Sequence, residues 1–185
     1  MKRIGLDFFR RDTVTVAKAL LGKVLVVDGC AIRIMETEAY TADKASHAFT
    51  KTKRSAIMYE TYGHVYVYFI YGMYFCVNFT TEQEGCPGAV LIRAGEPLQG
   101  IARMKERRGV TRVEDVCSGP GKLCQALGIT KMHNGLEVGG EISVWDDGFV
   151  VENIGRGRRI GIRDARHLWW RFFVEGSWWV SGGKK

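Results

Sequence analysis

Proline is scarce, three residues in 185, and no low-complexity block, internal repeat or linker breaks the chain. With 46% apolar and 25% charged residues, that composition excludes a disordered or collagen-like polymer and fits an ordinary globular protein. No run approaches the roughly 18 uninterrupted apolar residues of a membrane span, so no membrane partner is expected. Cysteine is present only as Cys30, Cys76, Cys86, Cys117 and Cys124, an odd number with no C-x-x-C pair and no histidine at zinc-ligand spacing. That pattern argues against a disulfide framework or a metal centre and leaves reduced, mostly buried thiols. Phosphate-binding glycine loops are missing as well. Ser118-Gly119-Pro120-Gly121-Lys122 has Val116 where a P-loop needs glycine and Leu123 after the lysine, and Gly155-Arg156-Gly157 with Gly161 misses dinucleotide spacing. No cofactor is expected.

What the chain has is length for one core, positive charge and aromatic rings. The length fits one domain, 1–185, whose folded surface should be roughly 9,000 Å². Twenty-seven basic against 20 acidic residues give a net charge of +7, which raises the expectation of a polyanionic partner. The amino-terminal stretch meets Asp7 and Arg10-Arg11-Asp12 before a signal-peptide core can form. The expected location is therefore cytoplasmic, at the nucleoid, or nuclear in a eukaryote.

Periodicity predicts a short helix capped at Asp12 or Thr13, with Val14, Ala17, Leu20 and Leu21 on its apolar face and Gly22 at its end. Strands follow at 23–27 and 31–40 around an Asp28-Gly29 turn, then at 64–71 and 74–81 around Gly72-Met73, then at 89–93. Pro97 should open a basic helix over 98–108, and a second helix should start near Ser118, with Ser118 as its cap. Strands near 141–145, 149–153 and 171–175 complete the expectation. The economical fold is α+β: a single compact domain with a curved, mainly antiparallel sheet, flanking helices and a protruding hairpin.

Within 31–40, period two puts Ile32, Ile34, Glu36, Glu38 and Tyr40 on one face, so two carboxylates continue an apolar row. Burying either anion is costly unless it is paired or used. From the residues alone the plainer reading is favoured, that the strand leaves the core and both glutamates are solvated or bound to arginines. Nine aromatic residues between Tyr59 and Phe79 are harder to place as pure core, because the hydroxyls of Tyr62, Tyr66, Tyr68, Tyr71 and Tyr74 would each need a buried partner. Some of these rings suit stacking platforms or a wedge for nucleic acid. Tyr71-Gly72-Met73-Tyr74 would be a hairpin tip, where large side chains are unfavourable unless something covers them. Asn78, inside an apolar strand, must be satisfied or read a ligand edge. Basic residues cluster around Lys51, Lys53 and Arg54, around Arg103 to Arg112, and around Arg156 to Arg166. Lys122, at a helix start with free N–H groups, can hold one backbone phosphate. His64 and His133 read as structural or surface residues.

In order along the chain, Glu36-Thr37-Glu38-Ala39-Tyr40, Ser46-His47, Val65 through Asn78, Leu91-Ile92-Arg93-Ala94, Cys117 through Leu127 and Gly176-Ser177-Trp178 resemble the alkyladenine (3-methyladenine, methylpurine) DNA glycosylase family. The likeness runs from Leu6 to Trp178. It implies a monofunctional repair enzyme that cuts the N-glycosidic bond of alkylated or deaminated purines and leaves an abasic site. It also implies double-stranded DNA with damaged purines as partner, and a monomer. On this resemblance the general base falls on Glu38, the water-contacting arginine on Arg93, and a water-holding backbone carbonyl on Ile160. The rings about the flipped base fall on Tyr40 and His47 on one side and Tyr68 on the other, and the residue excluding guanine's exocyclic amine falls on Asn78. The wedge falls on Tyr71, with Met73 and Tyr74 beside it, and a phosphate contact falls on Lys122. Glu36 receives a supporting role. The 48–57 loop is shorter than in some relatives, and its phosphate contacts are not carried over.

Two other classes compete. A non-catalytic basic nucleic-acid-binding module would leave Glu38 a structural carboxylate. A carbohydrate hydrolase would use Glu36 and Glu38 as its acid pair, but neighbours on one strand face point the same way instead of flanking a bond.

Overall fold

A computed structural model describes residues 1–182. Its surface is 9432 Å², in line with the size scaling. Among the described residues the strands are β1 (Lys2–Arg3), β2 (Val24–Val27), β3 (Cys30–Tyr40), β4 (Val65–Ile70), β5 (Tyr74–Thr80), β6 (Ala89–Gln99), β7 (Ile142–Asp146), β8 (Ile154–Gly157) and β9 (Arg171–Val174). The helices are α1 (Thr13–Ala19), α2 (Ala56–Glu60), α3 (Ile101–Arg108) and α4 (Pro120–Leu127). The strands form one antiparallel sheet in the order β1-β7-β2-β3-β6-β5-β4, with β9 on β3 and β8 on β9. An α+β fold around a curled antiparallel sheet is what the patterning implied.

Strand β3 is where the sheet forks. Along one side it pairs with β6; along the other, residues 30–33 pair with β2 and residues 36–38 pair with β9. Between Ile34 and Glu36 the register against β6 shifts, so Met35 is an extra residue. A bulge of this kind moves every later side chain to the opposite face. Ile32 and Ile34 sit in the main core, and beyond the bulge Ala39 takes over that face, while Thr37 Oγ1 donates to the Ala17 carbonyl of α1. Glu36, Glu38 and Tyr40 are thereby turned away from the Ile32–Ile34 row, contrary to the simple period-two expectation.

The far face of the sheet packs on helices. Val65, Val67, Val77, Phe79, Val90, Ile92, Ala39 and Phe172 meet Val16 and Ala17 of α1, Leu20 at its end, and Leu123, Ala126 and Leu127 of α4 in one cluster. Asp12 caps α1 by accepting the Thr15 N–H at 2.8 Å.

Three local expectations are corrected. Pro97 does not open a helix: it lies in β6 opposite Ile32, beside a register shift that tolerates a residue without an N–H, and α3 begins only after Gly100, whose φ is +73°. Residues 149–153 form no strand, because they find no pairing partner, and pairing resumes only at Ile154, opposite Val174 of β9. They lie instead as a loop, with Phe149 stacked on the Arg33 guanidinium at 4.1 Å. Helix α4 starts with Gly119 as cap and Pro120 in its first turn, while Ser118 accepts a bond from Lys122 instead of capping.

Candidate active site

Pairing across the sheet places one row of residues side by side: Tyr66 opposite Asn78, Asn78 opposite Leu91, Leu91 opposite Glu38, Glu38 opposite Arg171. Laterally paired residues share a face, and so do their neighbours two positions away. Tyr68, Cys76, Arg93, Glu36 and Tyr40 therefore join them on the face away from the main core. A cavity of about 540 Å³ opens there, lined among others by Tyr40, His47, Tyr68, Asn78, Arg93 and Ile160. The fork and bulge of β3 are thus what aim two carboxylates at this side.

Glu36 and Glu38 are both fully buried, and both are bound to arginines. Solvation, one half of the plainer expectation, is excluded; arginine pairing, the other half, holds. Glu38 receives three donors: the Tyr40 hydroxyl at 2.8 Å and Arg93 Nη1 at 3.3 Å on Oε2, and the Ile160 N–H at 2.7 Å on Oε1. Ile160 meets Glu38 through its backbone amide, which donates to the carboxylate. Burial pushes the Glu38 carboxyl above the ordinary range, with Arg93, the Ile160 amide and the Tyr40 hydroxyl opposing. Burial would lower Arg93, but Glu38 and then Glu36 outweigh it and hold the guanidinium protonated. Glu36 and Glu38 against Arg93 and Arg171 balance as two anions and two cations, so the cluster needs no metal ion to neutralise it. Among the described residues no group of three or more His, Cys, Asp or Glu lies close enough together to hold a metal.

Glu38 does not itself line the cavity, but its donors Tyr40, Arg93 and Ile160 do. Ile160 is 45% exposed, so the residue covering one carboxylate oxygen belongs to the surface loop over the site. Tyr40, half-buried beside Glu38, has its hydroxyl raised by burial and by that charge, and it remains a donor. His47 bonds the Tyr66 hydroxyl at 2.8 Å through Nδ1, and burial, then Arg54, push it down to about 4, so the ring is neutral near pH 7. His47 meets Tyr68 edge to face at 4.6 Å, so a base that stacks between these two rings must part them. Asn78, 3% exposed, donates to the Tyr66 carbonyl at 3.0 Å, which fixes the orientation of its amide.

The hairpin tip lies at the cavity mouth. Met73 N–H donates to the Ile70 carbonyl at 3.2 Å, and both intervening residues have positive φ, +54° at Tyr71 and +68° at Gly72. Tyr71 is 78% exposed, Met73 64% and Tyr74 41%. A large ring held exposed in the left-handed region is a strained choice, of the kind found at functional positions. Gly121 of α4 packs so closely under Tyr74 that a Cβ there would lie 3.0 Å from its ring. Lys122 does not face the cavity; it lines a separate cleft with Trp178 and Trp179.

The three basic clusters come apart in the structure. Arg159 is 4% exposed and holds Asp43 by two bonds of 3.0 and 2.6 Å while stacking on Tyr40, so it braces the site and is no phosphate contact. Arg103 and Arg107 pair with Asp28, and Lys51 with Glu60. Lys53, Arg158 and Arg163 have no acidic partner among the described residues. Arg171 and Ser181, both on the glutamates' cluster, escaped the sequence reading; only the β9–β3 register brings the first to Glu36, and no local pattern marks the second.

A family profile described as methylpurine-DNA glycosylase (MPG) matches residues 7–178. The chain belongs to that family. It is 45% identical over 202 residues to a protein of Clostridium perfringens strain SM101, covering 97% of this chain and 98% of that one. It is 44% identical over 191 residues to a protein of Chlorobaculum tepidum, covering 98% and 91%, and 48% identical over 181 residues to one of Rhizobium etli, covering 94% and 86%. All three relatives carry the name "Putative 3-methyladenine DNA glycosylase". As a member of the methylpurine-DNA glycosylase family the chain is a DNA glycosylase, a hydrolase of the N-glycosidic bond. The non-catalytic module and the carbohydrate hydrolase fall away with that membership.

Proposed function

We propose that this glycosylase flips damaged purines, 3-methyladenine, hypoxanthine, ethenoadenine and 7-methylguanine, out of double-stranded DNA and hydrolyses their N-glycosidic bonds, acting as a monomer in base excision repair. The observation that carries the reading is the buried Glu38 carboxylate, ringed by three donors that line an aromatic cavity beneath an exposed tyrosine. A base cannot react inside the stack; extrusion costs a few kcal/mol, which Tyr71 offsets by filling the gap and Tyr40, Tyr68 and His47 offset by stacking.

The chemistry is a displacement. Water oxygen bonds to C1′ as the bond from C1′ to the purine nitrogen breaks, the electron pair leaves with the purine, and Glu38 takes the water's proton. A purine methylated on a ring nitrogen is a cation, leaves neutral and needs no acid; as a cation it also gains from the electron-rich faces of Tyr40 and Tyr68. Glu38 must be ionised for this, and Arg93 opposes the desolvation that raises it. The Ile160 loop would have to yield part of Oε1 to the water. Asn78, its amide held by the Tyr66 carbonyl, lines the cavity wall and would crowd guanine's exocyclic amine. Met73, Tyr74 and Lys122 would contact the DNA backbone on either side of the wedge.

Methylated duplex DNA incubated with the enzyme tests the proposal. Free methylpurine with the strand intact until alkali treatment, and no borohydride-trapped protein adduct, is expected. A trapped adduct would replace hydrolysis by amine chemistry, and release of no base would refute the substrate assignment.

A further inference from the structure

The carboxy-terminal turn beyond the family match reaches into the charge cluster. The Ser181 N–H donates to Glu36 Oε2 at 2.6 Å, and its Oγ accepts from Arg93 Nη2 at 3.4 Å. The other Glu36 oxygen takes Arg171 Nη1 at 2.8 Å and lies 3.5 Å from Arg93 Nε, which makes no hydrogen bond. The Arg93 guanidinium thus stands between two fully buried carboxylates, 3.3 Å from Glu38 and 3.5 Å from Glu36. A planar fork so placed can turn to grip either one by two bonds. What limits its turn toward Glu36 is that Arg171 and the Ser181 amide already engage both oxygens there.

We propose that Ser181 is a positioning residue: by occupying Glu36 Oε2 and accepting from Arg93 Nη2, it holds the guanidinium on Glu38 and makes the carboxy-terminal segment part of the active site. This rests on the reading of Glu38 as base. Without the Ser181 hydroxyl, Arg93 Nη2 loses its acceptor and the guanidinium turns toward Glu36 Oε1, 3.5 Å from its unbonded Nε, while the backbone amide stays on Oε2; Glu38 is then less neutralised and takes up a proton more readily. Removing the Glu36 charge has the opposite effect, since that charge itself favours protonation of Glu38.

The test is the pH dependence of single-turnover base release from methylated duplex DNA by the full chain. Ser181→Ala should move the acid limb to higher pH by about half a unit to one unit and lower the plateau about three- to tenfold, with DNA affinity unchanged. Glu36→Gln should move the limb to lower pH, and Ser181→Thr, which keeps the hydroxyl, should behave as wild type. A merely structural role predicts no opposed shifts. A Ser181→Ala profile superimposable on wild type, or shifted in the same direction as Glu36→Gln, overturns the proposal; if Glu36→Gln fails to fold, the Ser181→Ala profile decides alone. Glu38→Gln in the same series separates the two ideas: inactive Glu38→Gln with normal Ser181→Ala sinks only the positioning role, whereas active Glu38→Gln removes the base and this proposal with it.

Discussion

Replacing Tyr71 by glycine should separate the fold from its function. In the native chain Tyr71 holds a φ of +54°, which for a residue with a Cβ costs about 1–2 kcal/mol and for glycine nothing. Against that relief, glycine gives up about 0.5–1 kcal/mol of backbone entropy. The ring is 78% exposed, so the part it covers, some 50 Å², adds about 1 kcal/mol of lost burial. These terms cancel to within about 1 kcal/mol, and the melting temperature should stay within about 4 °C of wild type. Activity should not survive so well. If the ring fills the vacated stack, its loss removes about 1–3 kcal/mol of stacking, a fall of roughly 5- to 150-fold in single-turnover release from a well-paired lesion. On a mismatched or single-stranded lesion, where extrusion is cheap, the fall should be several times smaller. Equal losses on paired and unpaired substrates would refute the wedge, and a melting point lowered by about 8 °C or more would refute the strain argument.

DNA affinity should drop steeply with salt, with a log–log slope of about −3 or steeper, because unpaired cations such as Lys53, Arg158 and Arg163 release counterions from phosphates; a flat titration would leave the net charge of +7 without a DNA role. Arg171→Met leaves Glu36, fully buried, without its shortest ion-pair partner and should cost about 2–4 kcal/mol, a fall of roughly 5–15 °C in melting temperature; an unchanged melting curve would show that Glu36 carries little charge. Base release should fail as pH drops through a Glu38 pKa that burial holds above the ordinary glutamate range, because only the carboxylate can accept the water's proton; an acid limb at or below about 4.3 would place the titration elsewhere.

Much of this was legible in the chain because local chemistry wrote it there. The alternation in 64–81 and the Gly72 turn gave the hairpin, and of the five tyrosines that could not all be satisfied in a core, Tyr66 and Tyr68 line the cavity and Tyr71 and Tyr74 are exposed at the tip, while Tyr62 packs against the core. What escaped was non-local. Met35 carries no mark of a bulge, yet that one extra residue reverses the face of Glu36 and Glu38 and decides what they meet. Pro97 looked like a helix start because proline favours first turns, and only the β6–β3 pairing shows that its missing N–H falls beside a register shift. Arg159 read as one more surface cation until Asp43, far away in sequence, claimed it. Arg171 and Ser181 are ordinary residues whose roles arise from the strand register and the chain turning back on itself.

The claim that Glu38 is the base is tested most directly by single-turnover release of a purine from a duplex oligonucleotide with one hypoxanthine, comparing wild type with Glu38→Gln, an exchange that keeps the shape and removes the proton acceptor. Wild type should give alkali-sensitive cleavage and the variant a loss of at least about a hundredfold, with lesion binding retained. Comparable release by both proteins would contradict it and move the base elsewhere, with Glu36 the first to examine.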